Sequence, residues 1–173
     1  MKINRLLVSA AVFSGLTFFL FNPPHLQAQD TPLDKEHHHI YIGIGQSNMC
    51  GRATIEPQDT GYIDRVFLLR PEDTLWEKAK NPINKYNTLS DAGSLLGPCW
   101  GFAKIISASQ TNISIGLIGN AKGGTSLSQW AKETFYFHEA VRRTKSAQKT
   151  GTLKGILWHQ GENDYTDTNY VTK

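Results

Sequence analysis

The chemistry in this chain gathers at Gly45-Gln46-Ser47-Asn48-Met49. The residues before it, Ile40-Tyr41-Ile42-Gly43-Ile44, form an apolar run bounded by glycine and read as a buried strand. A serine at the tip of such a strand stands exposed where the chain turns into a helix. The first backbone N–H groups of that helix have no intrahelical partner and point at whatever lies above the serine. They would stabilise the oxyanion formed when Ser47 attacks an ester carbonyl. The plainer role for Ser47 is a helix cap.

Two other strand ends carry polar chemistry. Ile113–Gly119 reads as a strand that runs into Asn120-Ala121-Lys122-Gly123-Gly124-Thr125-Ser126-Leu127, with Trp130 beyond. Leu153–Trp158 reads as a strand followed by His159-Gln160-Gly161-Glu162-Asn163-Asp164. In a parallel sheet all three ends share one edge, the edge where open α/β sheets bind ligands. That edge would hold a serine, a glycine pair that lets a ligand approach the backbone, and a glutamine flanked by acids.

The elements that must position these residues alternate. Arg65–Arg70 reads as a further strand ended by Pro71. Residues 72–97 lack a period and read as a long loop. Gly97-Pro98 opens a helix with Trp100, Phe102, Ala103, Ile105 and Ile106 as its apolar content. Glu133–Lys149 reads as a second helix, with Phe137, Ala140 and Val141 on one side and Arg142, Arg143, Lys145 and Lys149 mostly solvated. Strands alternating with helices predict an α/β fold with a parallel sheet and helices on its faces. Gly123-Gly124 lacks the rest of a Walker or dinucleotide fingerprint.

The blocks Gly-Gln-Ser-Asn-Met, Gly-Gly-Thr-Ser-Leu with Trp130, and Trp158-His159-Gln160-Gly161-Glu162-Asn163-Asp164 resemble those of SGNH-type hydrolases. The nearer resemblance is to the sialate O-acetylesterase-like and carbohydrate esterase family 6 (acetylxylan esterase) branch, over residues 39–172. Gly97-Pro98 is similar to a further short block of that branch. The resemblance implies a three-layer SGNH (flavodoxin-like) sheet. It implies Ser47 as nucleophile, and an oxyanion hole from the Ser47 N–H, Gly124 or its neighbour Gly123, and the Gln160 amide. It gives Glu162 a supporting part, holding the loop or the glutamine; a solvated loop carboxylate is the alternative.

The implied activity is a secreted serine esterase removing O-acetyl groups from carbohydrate of sialate or xylan type. No metal or organic cofactor is implied. The alternative is a catalytically inactive, truncated remnant that only binds acylated carbohydrate. Truncation enters because the family takes its general base from an Asp-x-x-His block near the C-terminus, and no such block stands before Lys173. Residues 39–173 are therefore expected to be an esterase domain incomplete at its C-terminus. His159 should face away from Gln160 as a packed structural residue, and His138 should lie on the helix surface. Trp100, Trp130 and Tyr165 could stack on sugar rings or belong to the core.

Composition bounds the rest. The chain has 173 residues, of which 39% are hydrophobic, enough for one domain with a core. Lys2 and Arg5, the apolar stretch Leu6–Phe21 and a small-residue site at Leu26-Gln27-Ala28 read as a signal peptide over residues 1–28. Export to the periplasm or medium is the corresponding expectation. Removing that segment leaves 16 basic and 15 acidic residues, a net charge of +1, with no electrostatic footprint for nucleic acid. No second apolar span follows, so no membrane span is expected after signal cleavage. Residues 29–38 read as a polar leader. His37-His38-His39 would point to alternate sides there, a poor metal site in a solvated segment. Cys50 and Cys99 are either a disulfide pair or two small buried hydrophobes.

Overall fold

The computed structural model describes residues 31–32, 34–72, 75–89 and 95–172, so the signal-peptide reading of residues 1–28 lies outside it. Five strands form one sheet: β1 (His38–Gly45), β2 (Val66–Leu69), β3 (Trp76–Lys78), β4 (Ser114–Gly119) and β5 (Thr152–His159). Their spatial order is β3-β2-β4-β1-β5. β1 pairs in parallel with β4 and with β5, and β2 pairs in parallel with β4. β3 runs antiparallel to β2, so the sheet is mixed rather than parallel throughout. The difference arises inside residues 72–97, where Trp76-Glu77-Lys78 extends the sheet by three residues too short and polar to show a period.

The helices are α1 (Ser47–Cys50), α2 (Pro98–Ser109) and α3 (Phe135–Ala147). They cover both faces. On one face Met49 and Cys50 of α1, and Cys99, Trp100 and Ala103 of α2, pack on Val66, Leu68, Ile115 and Leu117. On the other, Ala140 and Ala147 of α3 pack on Ile40, Ile42, Leu69 and Ile118. The three-layer α/β architecture follows from this division. β2 and β4 are buried along their whole length, while β1 alternates and sends Tyr41 against Phe102 at a ring separation of 4.7 Å. β5 is the outer strand. Ile156 is 60% exposed and Trp158 is 41% exposed on it.

Two expectations about polar side chains are corrected. Arg143 is not solvated but fully buried. It occupies the same stripe of α3 as Ala140 and Ala147, three residues after one and four before the other. Its guanidinium donates to four carbonyls, those of Tyr86 (2.7 Å), Gly119 (3.1 Å), Leu69 (3.1 Å) and Arg70 (3.2 Å). The ends of β2 and β4 are thereby fastened to α3. His38 likewise is not part of a solvated leader but a buried residue of β1. Its Nδ1 lies 2.8 Å from Ser114 Oγ, and its Nε2 is buried without a hydrogen-bond partner among the described residues. His39, the next residue of β1, is half-buried, and His37 is exposed in the turn before the strand.

Burial pushes the His38 imidazole down from 6.5 to about 4. Between those values the unfolded chain holds a proton that the folded chain refuses, so stability falls as pH drops from about 6.5 towards 4. The full effect of such a shift is about 3 kcal/mol. Urea unfolding at pH 7 and at pH 4.5 should show it. His38→Gln should flatten that part of the profile. His37 titrates in the opposite sense, because its hydrogen bond to Asp34 raises it, and should be unaffected.

The cysteines are both free and buried. Burial pushes the Cys99 thiol up to about 12, and its Sγ lies 3.7 Å from Met49 Sδ. They serve as small apolar side chains.

Candidate active site

β4, β1 and β5 are adjacent and parallel, so the three polar blocks that follow them come together at one edge, with the Ser47 block in the middle. Gly45 makes the junction possible. Its φ of +133° is open to glycine, and a Cβ there would lie 2.1 Å from the His159 carbonyl oxygen. The chain can thus turn against β5, with the Gln46 N–H donating to that carbonyl at 2.9 Å. α1 begins at once, with Ser47 as its first residue. Ser47 is partly exposed, and its hydroxyl makes no hydrogen bond among the described residues.

The second block is held against the first by Lys122 N–H, which donates to the Gly45 carbonyl at 2.9 Å. Gly124 then adopts a positive φ of 71°. It is exposed, and a Cβ built on it would meet nothing within 4 Å. Thr125 anchors the loop: its hydroxyl donates to the Lys122 carbonyl at 2.9 Å and accepts from Trp130 Nε1 at 2.9 Å. Trp130 and Trp100 are core residues, while Tyr165 is 86% exposed.

The third block is organised around Gln160, which is 9% exposed. Its Nε2 donates to Gln46 Oε1 (3.1 Å), to the Thr125 carbonyl (3.0 Å) and to Asp164 Oδ2. Its Oε1 accepts from the Tyr170 hydroxyl at 2.9 Å. Three acceptors surround an amide that has two hydrogens. Gln46, itself buried, also accepts from Gly161 N–H (3.4 Å) and Asn163 N–H (3.1 Å). Asp164 also accepts from Leu127 N–H at 2.8 Å. One network therefore ties all three blocks together, and Gln46, Asp164 and Tyr170 are members that sequence reasoning did not single out. Asp164 lay in plain view in the third block. For Tyr170 there was no signal: a 3₁₀ turn over Tyr170–Thr172 brings its hydroxyl to the Gln160 carbonyl at 2.8 Å.

Among the described residues no hydrogen bond joins Glu162 to Gln160. Glu162 Oε1 accepts from Asn48 Nδ2 and lies 3.4 Å from His159 Nε2. The His159 ring is 49% exposed, so it is not the packed residue expected from alternation. Being on the outer strand, it has no layer above it. His138 is 57% exposed and lies 3.3 Å from Glu133. No histidine hydrogen-bonds Ser47 among the described residues, and no group of His, Cys, Asp and Glu there is arranged to hold a metal. No described helix is long and apolar enough to cross a membrane.

The edge holds a hydroxyl at a helix start with no hydrogen bond among the described residues, an exposed glycine and a buried amide. Comparison with known proteins bears on what it does. Residues 37–173 match the family model described as carbohydrate esterase, sialic acid-specific acetylesterase. A probable carbohydrate esterase of Arabidopsis thaliana is 31% identical over 148 residues, covering 74% of this chain and 55% of its own length. The crystal structure of that plant protein superposes with a TM-score of 0.65 at 28% identity, covering 73% of this chain and 58% of the other. The crystal structure of NanS shares the fold at a TM-score of 0.61 and 16% identity, covering 81% of this chain and 58% of its own. The chain spans a little over half the length of these relatives.

Proposed function

We propose that this chain, which belongs to the sialic acid-specific acetylesterase family of carbohydrate esterases, is part of a secreted serine esterase that removes O-acetyl groups from carbohydrate. The observation that carries the reading is the convergence of three polar blocks on the adjacent parallel strands β4, β1 and β5, with a Ser47 hydroxyl that makes no hydrogen bond among the described residues.

In this reading Ser47 Oγ attacks the acetyl carbonyl carbon and passes its proton to a base. The carbonyl oxygen becomes an oxyanion, received by the N–H groups of Ser47 and Gly124. Collapse expels the sugar hydroxyl and leaves an acetyl-serine, which water then cleaves to acetate. Gln160 is the third donor. To serve an oxyanion, its Nε2 must release one of the acceptors that now hold it, Gln46 Oε1, the Thr125 carbonyl or Asp164 Oδ2. Asn48, Glu162 and His159 form the neighbouring polar group on the same edge.

The test is acetate release from acetylated sugar, together with mass spectrometry after treatment with a serine-directed phosphonate. The expected adduct is on Ser47, and an adduct elsewhere would refute the assignment. Gln160→Ala should lower kcat by about 10²–10³ while leaving the Ser47 adduct able to form, as loss of one oxyanion donor does elsewhere. The second reading, a binder without turnover, has one observation in its favour: no imidazole bonds Ser47 among the described residues. Binding of acetylated sugar with no acetate released, even from a chain extended to include an Asp-x-x-His block, would favour it.

A further inference from the structure

A groove of about 260 Å³ lies on the α3 face of the sheet, between α3 and the outer strand β5. Ile42 and Ile44 of β1 and Leu153 and Ile156 of β5 form its floor, and Phe137 and Val141 of α3 its wall. Ala140 and Ala147 seat α3 against β1, β2 and β4. No described helix covers β5, where Ile156 and Trp158 stay exposed. The volume is near the lower end of small-ligand sites.

The two ends of the groove differ. At one end the rings of Trp130 and Trp158 meet edge to face, with centres 5.8 Å apart. At the other stand Thr144, Lys145 and Gln148, in the last turn of α3 and just past it. From Phe137 to Gln148 a helix rises about 16 Å, and Leu153 to Trp158 covers the same span in β5.

No Asp or Glu lines the groove. Lys145 is exposed and makes no ion pair or hydrogen bond among the described residues. The end of α3 does not engage it either. The carbonyls of Thr144, Ser146 and Ala147 already accept from the N–H groups of Gln148 (2.9 Å), Lys149 (3.2 Å) and Thr150 (3.0 Å). A narrow apolar slot thus ends at one uncompensated cation.

We propose that this groove binds a medium-chain fatty acid, with the alkyl chain lying along β5 towards Trp158 and the carboxylate at Lys145. The inference stands apart from the esterase reading, since it involves neither Ser47 nor hydrolysis. Burial of the chain supplies the affinity, and Lys145 sets its direction. A sugar does not suit the floor, because Ile42, Ile44 and Ile156 would leave its hydroxyls without partners.

The test uses the full chain. Decanoate, decanol and decyltrimethylammonium are titrated below their micelle-forming concentrations while methyl and indole chemical shifts are followed. Shifts should centre on Val141, Leu153, Ile156 and the Trp158 indole. Decanoate should bind about tenfold more tightly than decanol, the scale of a partly exposed charge pair, and the cation should bind most weakly. Octanoate should bind about tenfold more weakly than decanoate, through the loss of two buried methylenes. Lys145→Gln, at an exposed position, should equalise acid and alcohol without weakening the alcohol. Val141→Trp should fill the groove and abolish the binding of both.

Equal binding of decanoate and decanol by the unsubstituted protein would overturn the proposal. So would an acid preference that survives Lys145→Gln, or shifts scattered over the surface. Loss of decanoate binding in a chain extended through an Asp-x-x-His block would assign the groove to the added segment instead. Self-association that Val141→Trp disrupts and decanoate does not would assign it to a second copy. Either assignment also overturns the proposal.

Discussion

Ser47→Ala is expected to abolish acetyl-ester hydrolysis and to leave the fold untouched. The magnitude follows from what the hydroxyl does. Removing a nucleophile from a serine hydrolase typically costs about 10⁴–10⁶ in kcat, leaving only what binding and the oxyanion donors supply. The stability side follows from what the hydroxyl does not do: it makes no hydrogen bond among the described residues, so its loss leaves no buried partner stranded. The measurement should be made in two backgrounds. In the 173-residue chain the parent activity itself should be very weak, because general-base assistance is worth about 10²–10⁴ and no imidazole bonds Ser47 there. In a chain extended through an Asp-x-x-His segment, turnover should appear and Ser47→Ala should remove it. Strong Ser47-dependent hydrolysis by the short chain would contradict this, and His159→Ala would then be the next substitution to make, since its half-exposed ring lies on the same edge.

Arg143→Ala should be the most damaging single change to the fold. The guanidinium is buried to the last atom and serves four carbonyls on β2, β4 and the segments after them. Alanine leaves those acceptors facing a void. An unsatisfied buried group costs roughly 1–3 kcal/mol, and water entering the cavity recovers part of the sum. A net loss of about 3–5 kcal/mol is expected, read as a fall in Tm on the order of 10 °C or more. Arg143→Lys restores the charge but not the fork, and should recover less than half. Arg142→Ala is the control. Arg142 lies one position away with its side chain half exposed, paired to Glu139 at 2.7 Å, and should move stability by less than about 1 kcal/mol.

The contrast between those neighbours shows where the sequence was legible. Apolar runs bounded by glycine or proline placed β1, β2, β4 and β5, and Gly97-Pro98 marked the start of α2. The three blocks at strand ends were visible because parallel strands put their carboxyl ends together. Arg143 carries conflicting signals: its charge points to solvent, while its place in a stripe with Ala140 and Ala147 points inward. His38 is the same case, polar in type but alternating with Ile40 and Ile42. Other features left no local trace. β3 is three residues long, and the links from Gln46 to Gln160 and from Tyr170 to Gln160 join residues that nothing in the spacing relates.

The outer strand carries a consequence for anyone handling the polypeptide. β5 presents Ile156 and Trp158 to water, with one side of its backbone unpaired among the described residues, and Lys154 is the one formally charged residue along it. Exposed edges of this kind template further strands, and a lysine is the usual guard against that. Concentrated solutions of these residues alone should therefore grow cloudy with time, faster as salt masks the Lys154 charge. Lys154→Ile should hasten the onset, whereas Ile156→Lys should keep the solution clear.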